Sequence, residues 1–391
     1  MTQRQATVSV IAFAVTATIL LATASVGEAA TVTRHSTPRK WTPKGRAVAK
    51  NVKKSKKKKV YQEVWTAPSY ADSTAGDMVE GEDMAVRRAA VEALGPFNGS
   101  VVAVEPDTGR VLSIVNQKLA FKSGFTPCST VKIVAALGGL MEGHVDRNTE
   151  IPVTRSSSMT LTDAMAKSNN PYFAQLGLQL GFEKVTYYAR LVGLGEKAGL
   201  NIDQERAGTL PDGIPREGLG MMTSFGSGIN LTPLQLAALI SAVANNGTLY
   251  WLQYPKTQQE ATHFAPQVKR YLPIGSVVDE LKPGMAGSVQ YGTGRRAAYD
   301  DNEPIFGKTG TCTHSDEKTH LGWFGSYNEV NGRKLVVVVL LTGGRPVNGP
   351  AASQVAGEVY KNLSRQKYFA QTRPRFAPNP RFLRVSSPVT Q

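Results

Sequence analysis

Short β-rich runs lie near both ends of the central part of this chain, and apolar helical segments lie between them. The runs SVVAVEP and RVLSIVN flank a turn signal at residues 106–109 and predict a hairpin. Near the other end, HLGWFGSY and KLVVVVLL flank Asn331-Gly332, a dipeptide typical of tight hairpins. This order predicts an α+β domain whose antiparallel sheet joins residues from both ends of the chain.

Three apolar segments predict helices. Residues 130–141 are rich in Ala and Leu and predict a buried helix. Thr232 is suited to cap a helix and Pro233 to begin it, so the apolar run that ends at Gly247 predicts a second helix. Residues 354–363 predict a closing helix.

Composition changes along the chain and predicts four segments. Residues 1–30 contain a long uncharged apolar run and predict a signal peptide or a signal anchor. Residues 31–84 are first basic and then acidic, lack an apolar period, and predict a disordered linker. The folded domain is expected over 85–363, and a flexible basic tail over 364–391.

The net charge of +15 belongs to the flanking segments. Residues 34–59 contain twelve Lys or Arg and 364–391 contain six, both without an acid, which leaves 60–363 at −3. A basic DNA-binding face on the domain is therefore not expected, and no nucleic acid is predicted as a partner. The tract 34–59 is predicted either to bind an anionic envelope surface or to serve as a solvated spacer.

A Ser-x-x-Lys pair can supply a nucleophile and its base without histidine, because residues i and i+3 share one face of a helix. A lysine that is desolvated near another cation has a lowered pKa and can accept the hydroxyl proton. The chain has four such pairs, but only one begins an apolar helix: Ser55–Lys58, Ser129–Lys132, Ser315–Lys318 and Ser364–Lys367. We therefore take Ser129 and Lys132 as the candidate pair.

Two further short motifs follow Ser129 along the chain. Ser-x-Asn occurs at Ser168 and again at Ser326, where it is predicted to be part of a turn. Lys-Thr-Gly occurs once, at 308–310, inside a predicted strand. A nucleophile helix, then Ser-x-Asn, then Lys-Thr-Gly is the set found in β-lactamases and penicillin-binding proteins.

Residues 98–363 resemble the penicillin-binding transpeptidase domain. The resemblance lies in TPCSTVKIVAAL, MTLTDAMAKSNNPYFAQLG, QERAGTLPDG, INLTPLQLAALISAVANNGTL and FGKTGTCT followed by HLGWFGSY. It implies a serine β-lactamase-like fold, with an antiparallel sheet flanked by helices and an all-helical subdomain. The chain departs from the family at Cys128, at Val131 and at 226–228, where Gly-Ser-Gly replaces Gly-Gln-Gly.

The resemblance implies a role for each motif residue. Ser129 is the acylated nucleophile, Lys132 its base, Ser168 a proton relay and Lys308 an electrostatic stabiliser. The backbone N–H groups of Ser129 and Thr311 form the oxyanion hole. Substrate contacts are implied at Asn170, Thr309, Gly310 and Thr311, where Gly310 allows the substrate to pack along the strand.

The implied reaction is D,D-transpeptidation of peptidoglycan stem peptides that end in D-Ala-D-Ala, with β-lactams as inhibitors and no cofactor or metal. It implies an extracytoplasmic location, with attachment to the membrane or an anionic envelope surface through 1–59. Because the stretch before residue 98 is short, a glycosyltransferase is expected as a separate partner protein. The alternatives are a D,D-carboxypeptidase, a serine β-lactamase, a penicillin-recognising sensor and a wall-binding scaffold.

Two cysteines, Cys128 and Cys312, each flank a motif. They exclude a disulfide-rich scaffold, and their spacing does not indicate zinc. One bridge between them is an alternative outside the cytoplasm. Strand alternation leaves open that Cys312 points away from the cleft, so we expect two buried thiols.

Overall fold

The computed structural model describes residues 64–122, 124–298 and 300–370. The predicted signal segment 1–30 lies outside these ranges, as do most of the predicted linker and most of the basic tail. Among the described helices, none is both long and apolar enough to cross a lipid bilayer.

The described residues form nine strands: β1 (Gly99–Glu105), β2 (Arg110–Val115), β3 (Ile151–Pro152), β4 (Ser158–Met159), β5 (Thr248–Tyr250), β6 (Val268–Tyr271), β7 (Ile305–Thr313), β8 (His320–Val330) and β9 (Arg333–Gly343). Five of them form the central antiparallel sheet, in the order β2-β1-β9-β8-β7. Strand β1 pairs with β9, with Val101 opposite Val339, so the sheet joins the two ends of the domain as predicted. Strand β7, which carries Lys-Thr-Gly, lies at one edge.

Both predicted hairpins are confirmed. Strands β8 and β9 pair from Val330 and Arg333 onward, across Asn331 and Gly332. The φ angles of Asn331 and Gly332 are 52° and 71°, the left-handed values that a tight hairpin of this twist requires. The β1–β2 hairpin turns at Gly109, whose φ is 75°.

The described residues form ten α-helices: α1 (Met84–Leu94), α2 (Gln117–Ala120), α3 (Lys132–Met141), α4 (Leu161–Ala166), α5 (Asn170–Leu191), α6 (Leu219–Phe225), α7 (Pro233–Ala244), α8 (Gln258–Thr262), α9 (Gly275–Gln290) and α10 (Gly349–Arg365). Helix α7 begins with the predicted cap: Thr232 Oγ1 accepts from Gln235 N, and Gln235 Oε1 accepts from Thr232 N. Helix α10 is longer than its prediction, because Asn348 caps it and Pro350 occupies its first turn.

Strand β9 divides the hydrophobic core into two layers. Val336, Val338 and Leu340 pack with α3, α5 and α7, which belong to the helical subdomain. Val337 and Val339 face the other way and pack with α1 and α10. The unbroken apolar run in β9 is therefore explained by burial on both faces of the sheet.

Residues just before α1 are packed onto the sheet. Asp77 accepts from the backbone N–H groups of Asn116 and Gln117 and forms a 2.8 Å ion pair with Arg87. Glu82 is buried and accepts from the backbone of Ile114. The domain therefore begins earlier than the boundary at residue 85 predicted from the sequence.

The other boundary also differs from the prediction. Helix α10 continues to Arg365, and Tyr368 and Phe369 are buried beyond it. Apolar side chains that pack into the core cannot belong to a flexible tail, so the domain extends past residue 364.

Candidate active site

Ser129 lies in a short 3-10 turn, Cys128–Val131, directly before α3. The hydroxyl of Thr130 closes the turn by donating to the carbonyl of Pro127 at 2.7 Å. Cys128 has a φ of 51°, in the left-handed region that residues other than glycine rarely adopt. Such backbone strain persists only where surrounding contacts fix the chain, so the serine is held in one position.

Lys132 lies one helical turn after Ser129, and its Nζ is 2.6 Å from Ser129 Oγ. The same Nζ lies 2.6 Å from Asn170 Oδ1 and 2.6 Å from the carbonyl oxygen of Ser224. A neutral amine has two N–H donors and one lone pair. It can therefore donate to those two oxygens while its lone pair accepts the proton of the serine hydroxyl.

The surroundings of Lys132 favour its neutral form. Its side chain is fully buried, and the rings of Phe173 and Phe225 lie 5.8 and 5.7 Å from Nζ. Among the described residues, no carboxylate forms an ion pair with it. Burial, and then the charge of Lys308, hold the pKa of Lys132 well below its usual range.

A second serine–lysine pair lies across the cleft. Lys308 Nζ on β7 donates to Ser168 Oγ at 2.7 Å and to the carbonyl of Thr309 at 2.9 Å. Lys308 is fully buried, and burial lowers its pKa to about 7. Ser168 has a φ of 56°, so it too is strained. Asn170, the third motif residue, begins α5, and its Oδ1 accepts from Lys132 Nζ.

Strand β7 brings the three remaining motif residues to the cleft. Thr309 Oγ1 lies 2.5 Å from Thr293 Oγ1, and Thr311 Oγ1 accepts from Gly349 N at 2.7 Å. A side chain at Gly310 would meet the carbonyl of Pro127 at 3.1 Å. This distance is tight for a Cβ atom, so glycine suits the place where the nucleophile segment crosses the strand.

The expectation of two free thiols is wrong, because Cys128 and Cys312 form a disulfide with a Cα–Cα distance of 5.5 Å. Alternate residues of a strand share one face, and Lys308, Gly310 and Cys312 alternate along β7. A Cβ atom at Gly310 would lie 3.2 Å from Cys128 Cβ, so Cys312, on the same face of β7, also points to the nucleophile segment. The bridge links the residue before the nucleophile to the part of β7 that follows Lys-Thr-Gly.

The structure brings all motif residues predicted from the sequence into one cleft or its wall, and it adds others. The cleft has a volume of about 580 Å³ and is lined by Ser129, Ser168, Asn170, Thr309 and Thr311, among others. Sequence reasoning missed four contributors: the Ser224 carbonyl, Phe225, Thr293 and the adjacent pair Arg295 and Arg296. None belongs to a short motif, so only the fold could reveal them.

The competing candidates lie elsewhere. Ser315 is exposed in the β7–β8 turn, and Ser364 lies near the end of α10. Ser326 is buried within β8 and donates to the carbonyl of Val337, so it belongs to a strand and not to the predicted turn. His314 contacts Thr126, and His320 stacks on Trp65 at 4.4 Å. The pair Ser55–Lys58 lies outside the described residues.

The geometry places a serine hydroxyl 2.6 Å from the amine of a buried lysine, in a cleft bordered by the edge strand β7. Residues 99–365 match the family model described as the penicillin binding protein transpeptidase domain. The chain belongs to this family, as the resemblance in its sequence implied.

Relatives of established name support the assignment. The chain is 27% identical over 314 residues to Stage V sporulation protein D of Bacillus subtilis, covering 69% of this chain and 48% of that protein. It is 24% identical over 314 residues to the peptidoglycan D,D-transpeptidase PbpA of Mycobacterium tuberculosis, covering 64% and 63%. The chain thus spans about half to three fifths of the length of these relatives.

Solved structures confirm the fold. The transpeptidase domain of Burkholderia pseudomallei penicillin-binding protein 3 superposes with a TM-score of 0.62 at 20% identity, covering 74% of this chain and 96% of that one. The crystal structure of PBPA from Mycobacterium tuberculosis gives 0.60 at 22% identity, covering 72% and 81%. The α+β class and the helical subdomain are those predicted from the sequence.

Proposed function

We propose that the protein is a serine D,D-transpeptidase that cross-links peptidoglycan stem peptides through an acyl-enzyme on Ser129. The observation that carries this proposal is the 2.6 Å contact between Lys132 Nζ and Ser129 Oγ in a buried setting that lowers the pKa of the lysine. The relatives named peptidoglycan D,D-transpeptidase support the same activity.

The first half-reaction forms the acyl-enzyme. Neutral Lys132 takes the hydroxyl proton while Ser129 Oγ attacks the carbonyl carbon of the penultimate D-Ala. The backbone N–H groups of Ser129 and Thr311 donate to the oxygen that becomes negative, and loss of one such donor typically costs roughly 100- to 1,000-fold in rate. The C–N bond to the last D-Ala then breaks, and its nitrogen receives the proton through Ser168.

The second half-reaction reverses these roles. The amine of a neighbouring stem attacks the ester carbonyl, its proton passes through Ser168 to Lys132, and the bond between that carbon and Ser129 Oγ breaks as the oxygen regains its proton. Lys308 donates to Ser168 Oγ and orients it for both transfers. Asn170 binds a substrate amide, and Thr309 and Thr311 bind the terminal carboxylate beside Gly310.

The setting of this reaction forms the second part of the proposal. Stem peptides are cross-linked outside the cytoplasm, so the enzyme acts there, attached through residues 1–59 to the membrane or to an anionic envelope surface. A glycosyltransferase partner would supply the glycan strands. β-Lactams would acylate Ser129 by the same first half-reaction and block the second.

A labelled penicillin tests the acyl-enzyme. The wild-type protein is expected to form a covalent adduct that survives denaturation, and Ser129→Ala is expected to form none. Ser315→Ala, which removes the serine of another Ser-x-x-Lys pair, is the matched control and should be labelled like the wild type. An unlabelled wild type, or a labelled Ser129→Ala protein, would overturn the proposal.

A product assay then separates the activities that share this intermediate. Protein that has not been treated with penicillin is given a stem peptide ending in D-Ala-D-Ala together with a second stem that carries a free amine. A cross-linked product confirms transpeptidation. A shortened donor peptide alone would instead show a carboxypeptidase, and rapid release of the penicillin adduct would show a β-lactamase.

A further inference from the structure

The first described residues of the chain cross one end of the central sheet. In segment 64–70 the odd-numbered residues are half-buried and the even-numbered residues are exposed, as in an extended chain that lies against the domain. Thr66 N donates to the carbonyl of Lys318 in the β7–β8 turn at 3.0 Å. Ser69 Oγ accepts from Gly344 N, directly after β9, at 2.8 Å. Segment 64–70 therefore connects the β7–β8 turn to the end of β9.

One side chain of this segment, Trp65, contacts both residues of the pair that ends the β7–β8 ladder. Thr313 of β7 lies opposite His320 of β8, and the turn begins after them. Trp65 Nε1 donates to Thr313 Oγ1 at 3.2 Å, and the indole stacks on the His320 ring with centroids 4.4 Å apart. Residues that lie opposite each other in a sheet project from the same face, so one large side chain can hold both. Trp65 therefore fixes the end of β7 to the end of β8.

This end of β7 lies two residues beyond the proposed oxyanion hole. At the edge of the sheet, β7 pairs with β8 alone among the described strands. Side chains alternate along a strand, so Thr313 shares a face with Thr311, which lines the cleft. Cys312 faces the other way and is bonded to Cys128. The end of the catalytic strand is therefore held on one face by the disulfide and on the other by Trp65.

We propose that Trp65 is a positioning residue for acylation: by holding Thr313 it fixes the backbone of Thr311, whose N–H belongs to the proposed oxyanion hole. Such donors act through their fixed direction, so a small displacement lowers the rate although the donor itself is still present. Trp65 lies outside residues 99–365, which match the family model, so this role does not follow from the family assignment. The inference rests on the proposed function, because it concerns the acylation of Ser129.

A positioning role predicts a particular kinetic pattern. Negative charge develops on the carbonyl oxygen only after Ser129 Oγ attacks, so the donors stabilise the transition state more than the bound ligand. Displacement of Thr311 N should therefore lower the rate constant of acylation and leave the affinity of the noncovalent complex unchanged. A side chain that bound the ligand directly would change that affinity. A side chain that only stabilised the fold would change the unfolding midpoint alone.

Substitutions at Trp65 test the proposal in the full-length protein. The rate of acylation is measured with a labelled penicillin, and the noncovalent affinity is measured separately in the Ser129→Ala background, where no adduct forms. Trp65→Phe keeps a ring that can stack on His320 and removes the Nε1 donor, whereas Trp65→Ala removes both contacts. We expect the acylation rate constant to fall about threefold in Trp65→Phe and about tenfold in Trp65→Ala, with the noncovalent affinity unchanged.

A double-mutant cycle identifies the contact that matters. Thr313→Val removes the acceptor of the same hydrogen bond and should slow acylation as much as Trp65→Phe does. The two substitutions together should cause no further loss, because either one alone already removes the bond. Both changes are nearly isosteric, so this cycle tests the proposal even where Trp65→Ala does not fold. Additive losses in the double variant would overturn it.

Tyr70→Ala is the matched control, because Tyr70 belongs to the same segment and also stacks on an aromatic ring. Its partner is Phe97, with centroids 5.7 Å apart, directly before β1, and β9 and β8 lie between β1 and β7. Tyr70→Ala should retain the wild-type rate constant of acylation. An equal loss in Tyr70→Ala, unchanged acylation in Trp65→Ala, or a change confined to the noncovalent affinity would each overturn the positioning role and leave the proposed function intact. A wild type that forms no adduct would overturn the proposed function as well.

Discussion

The active site contains two serine–lysine pairs of nearly equal geometry and different origin. Ser129 and Lys132 are three residues apart and lie 2.6 Å apart at Oγ and Nζ, whereas Ser168 and Lys308 are 140 residues apart and lie 2.7 Å apart. One pair is local to a helix, and the other exists only because Lys308 of β7 reaches the segment between α4 and α5. The comparison shows that equal distances do not imply equal chemistry.

The two lysines differ in what lowers their pKa. Burial acts on both, but only the pKa of Lys132 is lowered further by a neighbouring cation, Lys308. The charge of Lys308 therefore favours loss of the proton from Lys132, and once Lys132 is neutral Lys308 keeps its own positive charge to higher pH. Burying two like charges without a carboxylate is costly, which favours the state in which Lys132 is neutral.

The largest effect is expected at the local pair. Lys132→Met keeps the volume and removes the base, so we expect the rate of penicillin acylation to fall about 10²- to 10⁴-fold. Stopped-flow or gel-based measurement of labelled adduct over time gives this rate. Lys318→Met, in the exposed β7–β8 turn, is the matched control, and a loss of less than tenfold at Lys132 would show that another group acts as the base.

Removal of the second lysine should change both rate and pH dependence. In Lys308→Met the loss of a nearby positive charge raises the pKa of Lys132, so the neutral base is reached only at higher pH. The pH at which the acylation rate rises is expected to be higher than in the wild type. The rate near neutral pH is expected to fall roughly 100-fold. If the acylation rate rises at the same pH as in the wild type, or at a lower pH, the charge of Lys308 does not lower the pKa of Lys132.

The contrast between the two pairs also explains what could be predicted from the sequence. Ser129 and Lys132 followed from helical periodicity, and the hairpin at Asn331-Gly332 followed from turn chemistry, because both depend on neighbours in the chain. The meeting of Ser168 with Lys308 was implied only by resemblance to a family. The Ser224 carbonyl and Thr293 could not be predicted, since a backbone acceptor has no residue signature and Thr293 acts through a distant strand.

The disulfide is a second feature that could not be predicted from the sequence alone. Strand alternation was the correct principle, but the face of Cys312 depends on which alternate residues point to the cleft. Cys312 shares a face with Lys308 and Gly310, whereas Thr309 and Thr311, which line the cleft, share the other, so the motif alone does not decide it. The two cysteines then meet because Gly310 lets the nucleophile segment cross β7 closely.

Loss of this bridge should affect the first pair more than the second. The disulfide closes a separation of 184 residues, so Cys128→Ser/Cys312→Ser is expected to lower the free energy of unfolding by about 2–5 kcal/mol. Denaturant unfolding without reductant, beside the wild type with and without dithiothreitol, measures this. We also expect slower acylation, because the strained backbone at Cys128 loses a restraint. Equal unfolding midpoints for the variant and the oxidised wild type would contradict the expectation.

The smallest effect is expected at the hydrogen bond between Thr293 and Thr309, beside the second pair. Thr293→Val keeps the shape and removes the hydroxyl that contacts Thr309, at a cost of about 0.5–1.5 kcal/mol in the free energy of unfolding. Because Thr293 anchors the turn beside the second pair and is remote in sequence from the first, penicillin acylation should fall only a few-fold. Thr154→Val, which removes an exposed threonine hydroxyl bonded to Ser157 Oγ and Ser156 N, is the control for loss of a hydroxyl far from the cleft. An acylation defect as large as that of Lys132→Met would mean that Ser168 and Lys308 affect the reactivity of Ser129 as strongly as Lys132 does.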